Sequence, residues 1–158
     1  MTVDAMHRLR IRIYYEDTDF SGIVYHASYL RFMERARTEW LRELGIDQRA
    51  AFAMTPPIAF VVRRMTVEFA KPARMDDEIV VETELGELRG ASLILNQRVL
   101  HAGELLVEAR VTVATLSRGR ATRMPAQIRE ALVARQSITP IDTKKKARSR
   151  EDNGVRHC

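Results

Sequence analysis

A chain of 158 residues with 46% hydrophobic content can build one domain with a proper core and has little room for a second. Its 26 Lys and Arg against 21 Asp and Glu give a net charge of +5. Residues 139–158 hold Lys144, Lys145, Lys146, Arg148, Arg150 and Arg156 against Asp142, Glu151 and Asp152, which is +3, so the body carries +2: a solvated surface rather than a nucleic-acid footprint, though one that suits a phosphate-bearing ligand. The one cysteine, Cys158, excludes an internal disulfide and argues against thiol chemistry. No stretch approaches the roughly 18 apolar residues of a membrane span, residues 1–15 contain no apolar leader block, and the expected location is cytoplasmic.

In chain order, residues 9–15 alternate Leu9, Ile11 and Ile13 with arginines, the period-two pattern of a half-buried strand. Residues 28–44 place Tyr29, Met33, Ala36, Trp40 and Leu44 on one stripe widened by Leu30 and Leu41, which predicts an amphipathic helix with Ser28 as N-cap and Gly45 as its left-handed stop. After the helix-resistant Thr55-Pro56-Pro57, four strand-like runs follow. The first carries Met65, Val67 and Phe69. The second sets Ile79, Val81, Thr83 and Leu85 on one face. A turn on Gly90 leads to the third, residues 92–101, and a short hairpin at residues 101–103 leads to the fourth, residues 105–116. A short terminal helix precedes residues 137–158, a basic tail with almost no core-forming residues that is expected to be disordered, leaving residues 1–136 as the domain. One strand, one long helix and four strands on short turns predict an α+β domain: a curled antiparallel sheet of about five strands wrapped around one long central helix.

The densest chemistry lies in residues 14–30, YYEDTDFSGIVYHASYL. Asp17, Asp19, Ser21 and Gly22 imitate the opening of a calcium loop, but the twelfth position, which would supply a bidentate Glu, is Ser28. Four histidines without an HExxH or a paired-cysteine spacing disfavour zinc, and no GxSxG marks a serine nucleophile. A carboxylate held near a helix N terminus fits the layout better, because free backbone N–H groups there bind a carbonyl oxygen that gains charge under attack. The residues alone leave an alternative open, in which Asp17 and Asp19 cap turns and His26 is a packed loop residue.

Residues 14–41 (YYEDTDFSGIVYHASYLRFMERARTEWL), with FVVRRMTVEFAKPARMDDEI and RGASLILNQRV, resemble the Tol-Pal-associated acyl-CoA thioesterases, within the hotdog-fold group that includes the 4-hydroxybenzoyl-CoA thioesterases. The likeness covers residues 8–116 and implies a hotdog fold and thioester hydrolysis without metal or cofactor. It implies Asp19 as catalytic carboxylate and the backbone N–H of His26 as the group polarising the carbonyl. Tyr15, Gly22, Val24 and Tyr25 would shape the acyl entrance, and Phe20 stands where many relatives carry a small residue. Among the neighbouring cations, Arg63 and Arg89 are expected to meet the phosphates of an acyl-CoA, with Gly90 and Ser92 allowing close approach of the ligand. The resemblance further implies a homo-oligomer, dimer or tetramer, with sites shared between subunits. The alternative is a non-catalytic subunit binding acyl-CoA or acyl carrier protein beside lipid-synthesis enzymes.

Overall fold

The computed structural model describes residues 5–136. The chain runs β1 (His7–Arg12), a single 3-10 turn (Tyr15–Asp17), α1 (His26–Glu43), α2 (Gln48–Phe52), β2 (Ala59–Phe69), β3 (Glu78–Leu88), β4 (Ser92–His101), β5 (Glu104–Ser117), β6 (Arg120–Ala121) and α3 (Ala126–Gln136). The sheet order is β1-β3-β4-β5-β2, all antiparallel, with β6 paired to the end of β5. This is the expected curled sheet around a long helix. The first and second strands lie at opposite edges, so α1 crosses the concave face between them.

Alternation places Ile79, Val81 and Thr83 of β3, Leu93, Leu95, Gln97 and Val99 of β4, and Val107, Ala109, Val111 and Val113 of β5 under the helix. The helix answers with Tyr29, Phe32, Met33, Ala36 and Trp40, all nearly or fully buried. Each large apolar side chain so buried is worth roughly 1.5–3 kcal/mol. One polar side chain in this layer fixes the helix over the sheet. Gln97 donates from Nε2 to the Met33 carbonyl at 3.0 Å and to Thr83 Oγ1 at 2.9 Å, and accepts from Arg37 Nη1 at 3.0 Å. Sliding the helix would leave these buried groups unpaired.

Several boundaries differ from expectation. The first strand stops at Arg12, because the Tyr14 N–H turns to Asp17 Oδ2 at 2.8 Å and opens the 3-10 turn. α1 begins at His26 with Tyr25 as N-cap, whereas Ser28 is buried in the first turn. Tertiary bonds, Val24 N–H to Ala73 O and Tyr25 N–H to Asp17 O, both 2.9 Å, hold the chain extended up to that point. Phe32 is buried while Leu30 is 40% exposed. Leu30 shares a stripe with Glu34, Arg37 and Leu41, and the latter three line a groove of about 110 Å³ between α1 and Phe60 and Val62 of β2. The second helix, absent from the reading above, is capped by Asp47, whose side chain accepts from the Arg49 and Ala50 N–H groups. The helix stop at Gly45 is as expected, at φ 77°. Residues 137–158, and with them the expected tail, lie outside the described residues.

Candidate active site

Two connections cross at the N terminus of α1. The β1–α1 loop folds back on itself through the Thr18–Val24 bridge, and the β2–β3 connection pairs with it through Ile23 and Arg74. The buried Tyr29 hydroxyl accepts the Ala73 N–H at 2.9 Å, and Ala73 O accepts the Val24 N–H, so helix, loop and connection are stitched at one point. Burial pushes the Tyr29 phenol up from its ordinary range and keeps it neutral. Ile23, Val24, His26, Tyr29, Phe69, Ala70, Lys71 and Pro72 enclose a cavity of about 230 Å³ there.

Asp19 sits at the tip of this loop. Its N–H donates to Ile23 O at 2.9 Å and its carbonyl accepts the Gly22 N–H at 3.0 Å, closing a tight turn. Gly22 stands at φ 81°, a conformation that β-carbon-bearing residues rarely adopt. The Asp19 carboxylate is exposed and is held below the usual carboxylate range, chiefly by the Ser21 hydroxyl and then by the Ser21 and Ile23 N–H groups, with a smaller contribution from the nearby His26. Asp17, by contrast, spends its carboxylate on the Tyr14 N–H and its carbonyl on the Tyr25 N–H. No side chain caps α1, and neither the His26 nor the Ala27 backbone N–H has an acceptor among the described residues. Those two donors stand at the positive end of an 18-residue helix, and His26 also lines the cavity. The His26 ring itself packs edge-on against Tyr25 at 4.6 Å and Phe69 at 6.2 Å.

Of the expected site residues, Val24 and His26 line the cavity, and Asp19 and Gly22 form the adjoining turn. Tyr15 and Tyr25 are exposed beside them, as is Phe20, whose ring is wholly in solvent. Arg63, Arg89, Gly90 and Ser92 are not brought to this point within one chain. Ser92 opens β4 and His101 closes it near the site, about 30 Å away at roughly 3.3 Å per residue. Arg63 stands at the register shift of the edge strand β2. Arg89 pairs with Glu87 at 2.9 Å, and Gly90 has open space around its α-carbon. Phe69, Tyr29 and Lys71, which the sequence reading did not place on the cavity wall, arrive from β2, from the helix stripe and from the connection that follows β2. Among the described residues no group of three or more His, Cys, Asp or Glu is placed to hold a metal ion.

Known proteins resemble this chain in sequence and in fold. The family model of the thioesterase-like superfamily matches residues 14–132. Over 110 residues the chain is 51% identical to the acyl-CoA thioester hydrolase YbgC of Escherichia coli O6:H1, covering 69% of this chain and 81% of that protein. It is 43% identical to the acyl-CoA thioesterase YbgC of Haemophilus influenzae, with 70% and 80% covered. A probable thioesterase from Bartonella henselae superposes with a TM-score of 0.74 at 38% identity, covering 76% of this chain and 99% of that one. With the hotdog architecture, the shared sequence and the match across the whole site region, the chain belongs to the thioesterase-like superfamily and is a hydrolase of that kind.

Proposed function

We propose that this hydrolase cleaves acyl-CoA thioesters with Asp19 as the catalytic carboxylate and the His26 N–H as the oxyanion donor. One observation carries the reading: an ionised carboxylate and unpartnered helix N-terminal N–H groups adjoin a single cavity. The thioester carbonyl sits over the α1 N terminus and its oxygen takes the His26 N–H. Asp19 removes a proton from water as the water oxygen bonds to the carbonyl carbon, or attacks that carbon itself to give an anhydride that water then opens. In either course the carbon–sulfur bond breaks, the thiolate leaves as CoA and takes up a proton, and the free acid remains. The names of the relatives at 51% and 43% identity support the carrier as CoA. Acyl carrier protein as a second carrier, the Tol-Pal association and a cytoplasmic location belong to the same proposal. In support of the last, no described helix is long and apolar enough to cross a membrane.

The site is shared in a homo-oligomer. Among the described residues β2 has a free edge, with Val61, Val62 and Phe69 between 42% and 50% exposed, and Leu30 on α1 is 40% exposed. Antiparallel pairing of two such edges brings the Arg63 and Arg89 end of one chain toward the Phe69 end of the other, which gives those arginines a CoA to meet. The test is CoA release from a panel of acyl-CoA substrates, followed with a thiol reagent, for the wild type and Asp19→Asn. The expected loss is about 10²- to 10⁴-fold in turnover, roughly 3 to 5.5 kcal/mol of barrier, with acyl-CoA binding retained. An Asp19→Asn protein nearly as active as wild type overturns the assignment.

A further inference from the structure

The Asp19 carboxylate is held by donors from its own turn. Oδ1 accepts both the Ser21 N–H, at 2.8 Å, and the Ser21 hydroxyl, and the Ile23 N–H is a further backbone donor to the same carboxylate. The backbone of the same turn is fixed at both ends by the Asp19 N–H to Ile23 O and Gly22 N–H to Asp19 O bonds. A carboxylate on an exposed loop ordinarily samples several rotamers. Two donors on one oxygen, from a residue two positions along, remove that freedom and saturate the oxygen they touch.

We propose that Ser21 is a positioning residue: its hydroxyl and N–H tie down Oδ1 and so set the orientation in which the Asp19 carboxylate meets the reacting water or carbonyl carbon. This rests on the reading of Asp19 as the catalytic carboxylate. The arrangement has a second effect of the same origin. Donors to the ionised form stabilise it, so Asp19 stays charged to lower pH than a free aspartate, and active enzyme persists above that lowered value and is lost as pH falls through it. The charged and titratable neighbours are His26 from α1, which acts in the same direction, Asp17 within the loop, and Arg74 and Lys71 from the β2–β3 connection, the latter paired with Glu104. The Ser21 and Ile23 N–H donors belong to the backbone and survive a side-chain change, so the hydroxyl of Ser21 is the donor that substitution removes.

The experiment compares wild type, Ser21→Ala, Ser21→Thr and Asp19→Asn by the pH dependence of kcat and KM, and by carbon-13 titration of the Asp19 carboxyl, which needs no turnover. Ser21→Ala is expected to move the acid limb and the titration upward by roughly half a pH unit or more. It should lower kcat about two- to tenfold with KM little changed, and Ser21→Thr should restore both. Superimposable titrations and acid limbs for wild type and Ser21→Ala overturn the proposal. An unchanged Ser21→Ala beside a dead Asp19→Asn removes only the role of Ser21, whereas an active Asp19→Asn removes the catalytic reading beneath it.

Discussion

Asp17 and Asp19 stand two residues apart in one loop, and their carboxylates meet different donors. Asp17 spends its oxygen on the Tyr14 N–H inside the 3-10 turn, and Asp19 takes its donors from Ser21 and Ile23 in the turn that leads to the cavity-lining Ile23 and Val24. Asp17→Asn is therefore expected to lose far less turnover than Asp19→Asn, with circular dichroism unchanged in both. If Asp17→Asn is the inactive one, the two roles are exchanged. Tyr29 shows how a buried side chain acts on the site from behind. Its hydroxyl accepts the Ala73 N–H, and Tyr29→Phe leaves that buried donor unpaired, a cost of about 1–3 kcal/mol in chemical denaturation. Because Ala73 also receives the Val24 N–H, the same variant should raise KM more than it lowers kcat. The sequence exposed the candidates here, since DTDFSG followed by YH is dense in polar groups. It did not show which aspartate would be spent on the turn, because that depends on which backbone N–H groups the fold brings within reach.

At the scale of elements, β1, the end of α1 and α3 meet at a small charged cluster far from the site. His7 Nε2 lies 3.9 Å from Glu43, whose carboxylate also takes the nearly buried Arg135 at 3.5 Å, and the His7 Nδ1 atom is buried without a partner. Burial pushes the His7 imidazole down, with Arg135 acting the same way and Glu43 and Glu39 opposing. A histidine whose folded value is depressed binds fewer protons folded than unfolded. Stability is therefore full above the ordinary histidine value of about 6.5 and falls as pH drops from there through the depressed folded value. Thermal melts of the wild type are expected to lose Tm across that window and those of His7→Gln to be flatter. A His7→Gln curve with the same slope would assign the loss to other groups. None of this cluster was legible in the sequence, because its members come from residues 7, 39, 43 and 135 and only the packing of α3 on the sheet brings them together.

For the whole molecule, the uncovered groove beside α1 and the open edge of β2 set the expectation of association. A strand with unpaired N–H and C=O groups and exposed Val61 and Val62 is a template for another strand. Light scattering at micromolar concentration is expected to give a dimer or tetramer, and Val61→Lys to shift it toward monomer with loss of turnover. A wild-type monomer that is fully active removes the shared site. The sequence of residues 137–158 holds few core-forming side chains, so a chain ending at Gln136 should keep turnover within about twofold, under roughly 0.4 kcal/mol of barrier. A tenfold loss would assign substrate or partner contacts to the basic tail.

The sequence by itself determined the elements whose hydrophobic period is strong and local. The alternation of β3, β4 and β5 and the Tyr29–Met33–Ala36–Trp40 stripe are each readable within a dozen residues, and a stripe and a sheet face of matching length leave few ways to pack. It also marked the loop that carries Asp19 and His26. Only the tertiary structure decided where α1 begins, because bonds from Ala73 and Asp17 replace the side-chain cap that Ser28 promised. It alone put Phe32 inside and Leu30 outside, since the stripe fits both and only the position of β2 chooses between them. The separation of Arg89 from Asp19 by the length of the sheet, with Arg63 midway along the edge strand, was likewise beyond the sequence. Distance in the chain says nothing about which end of an antiparallel strand a residue will occupy until the order β1-β3-β4-β5-β2 is fixed.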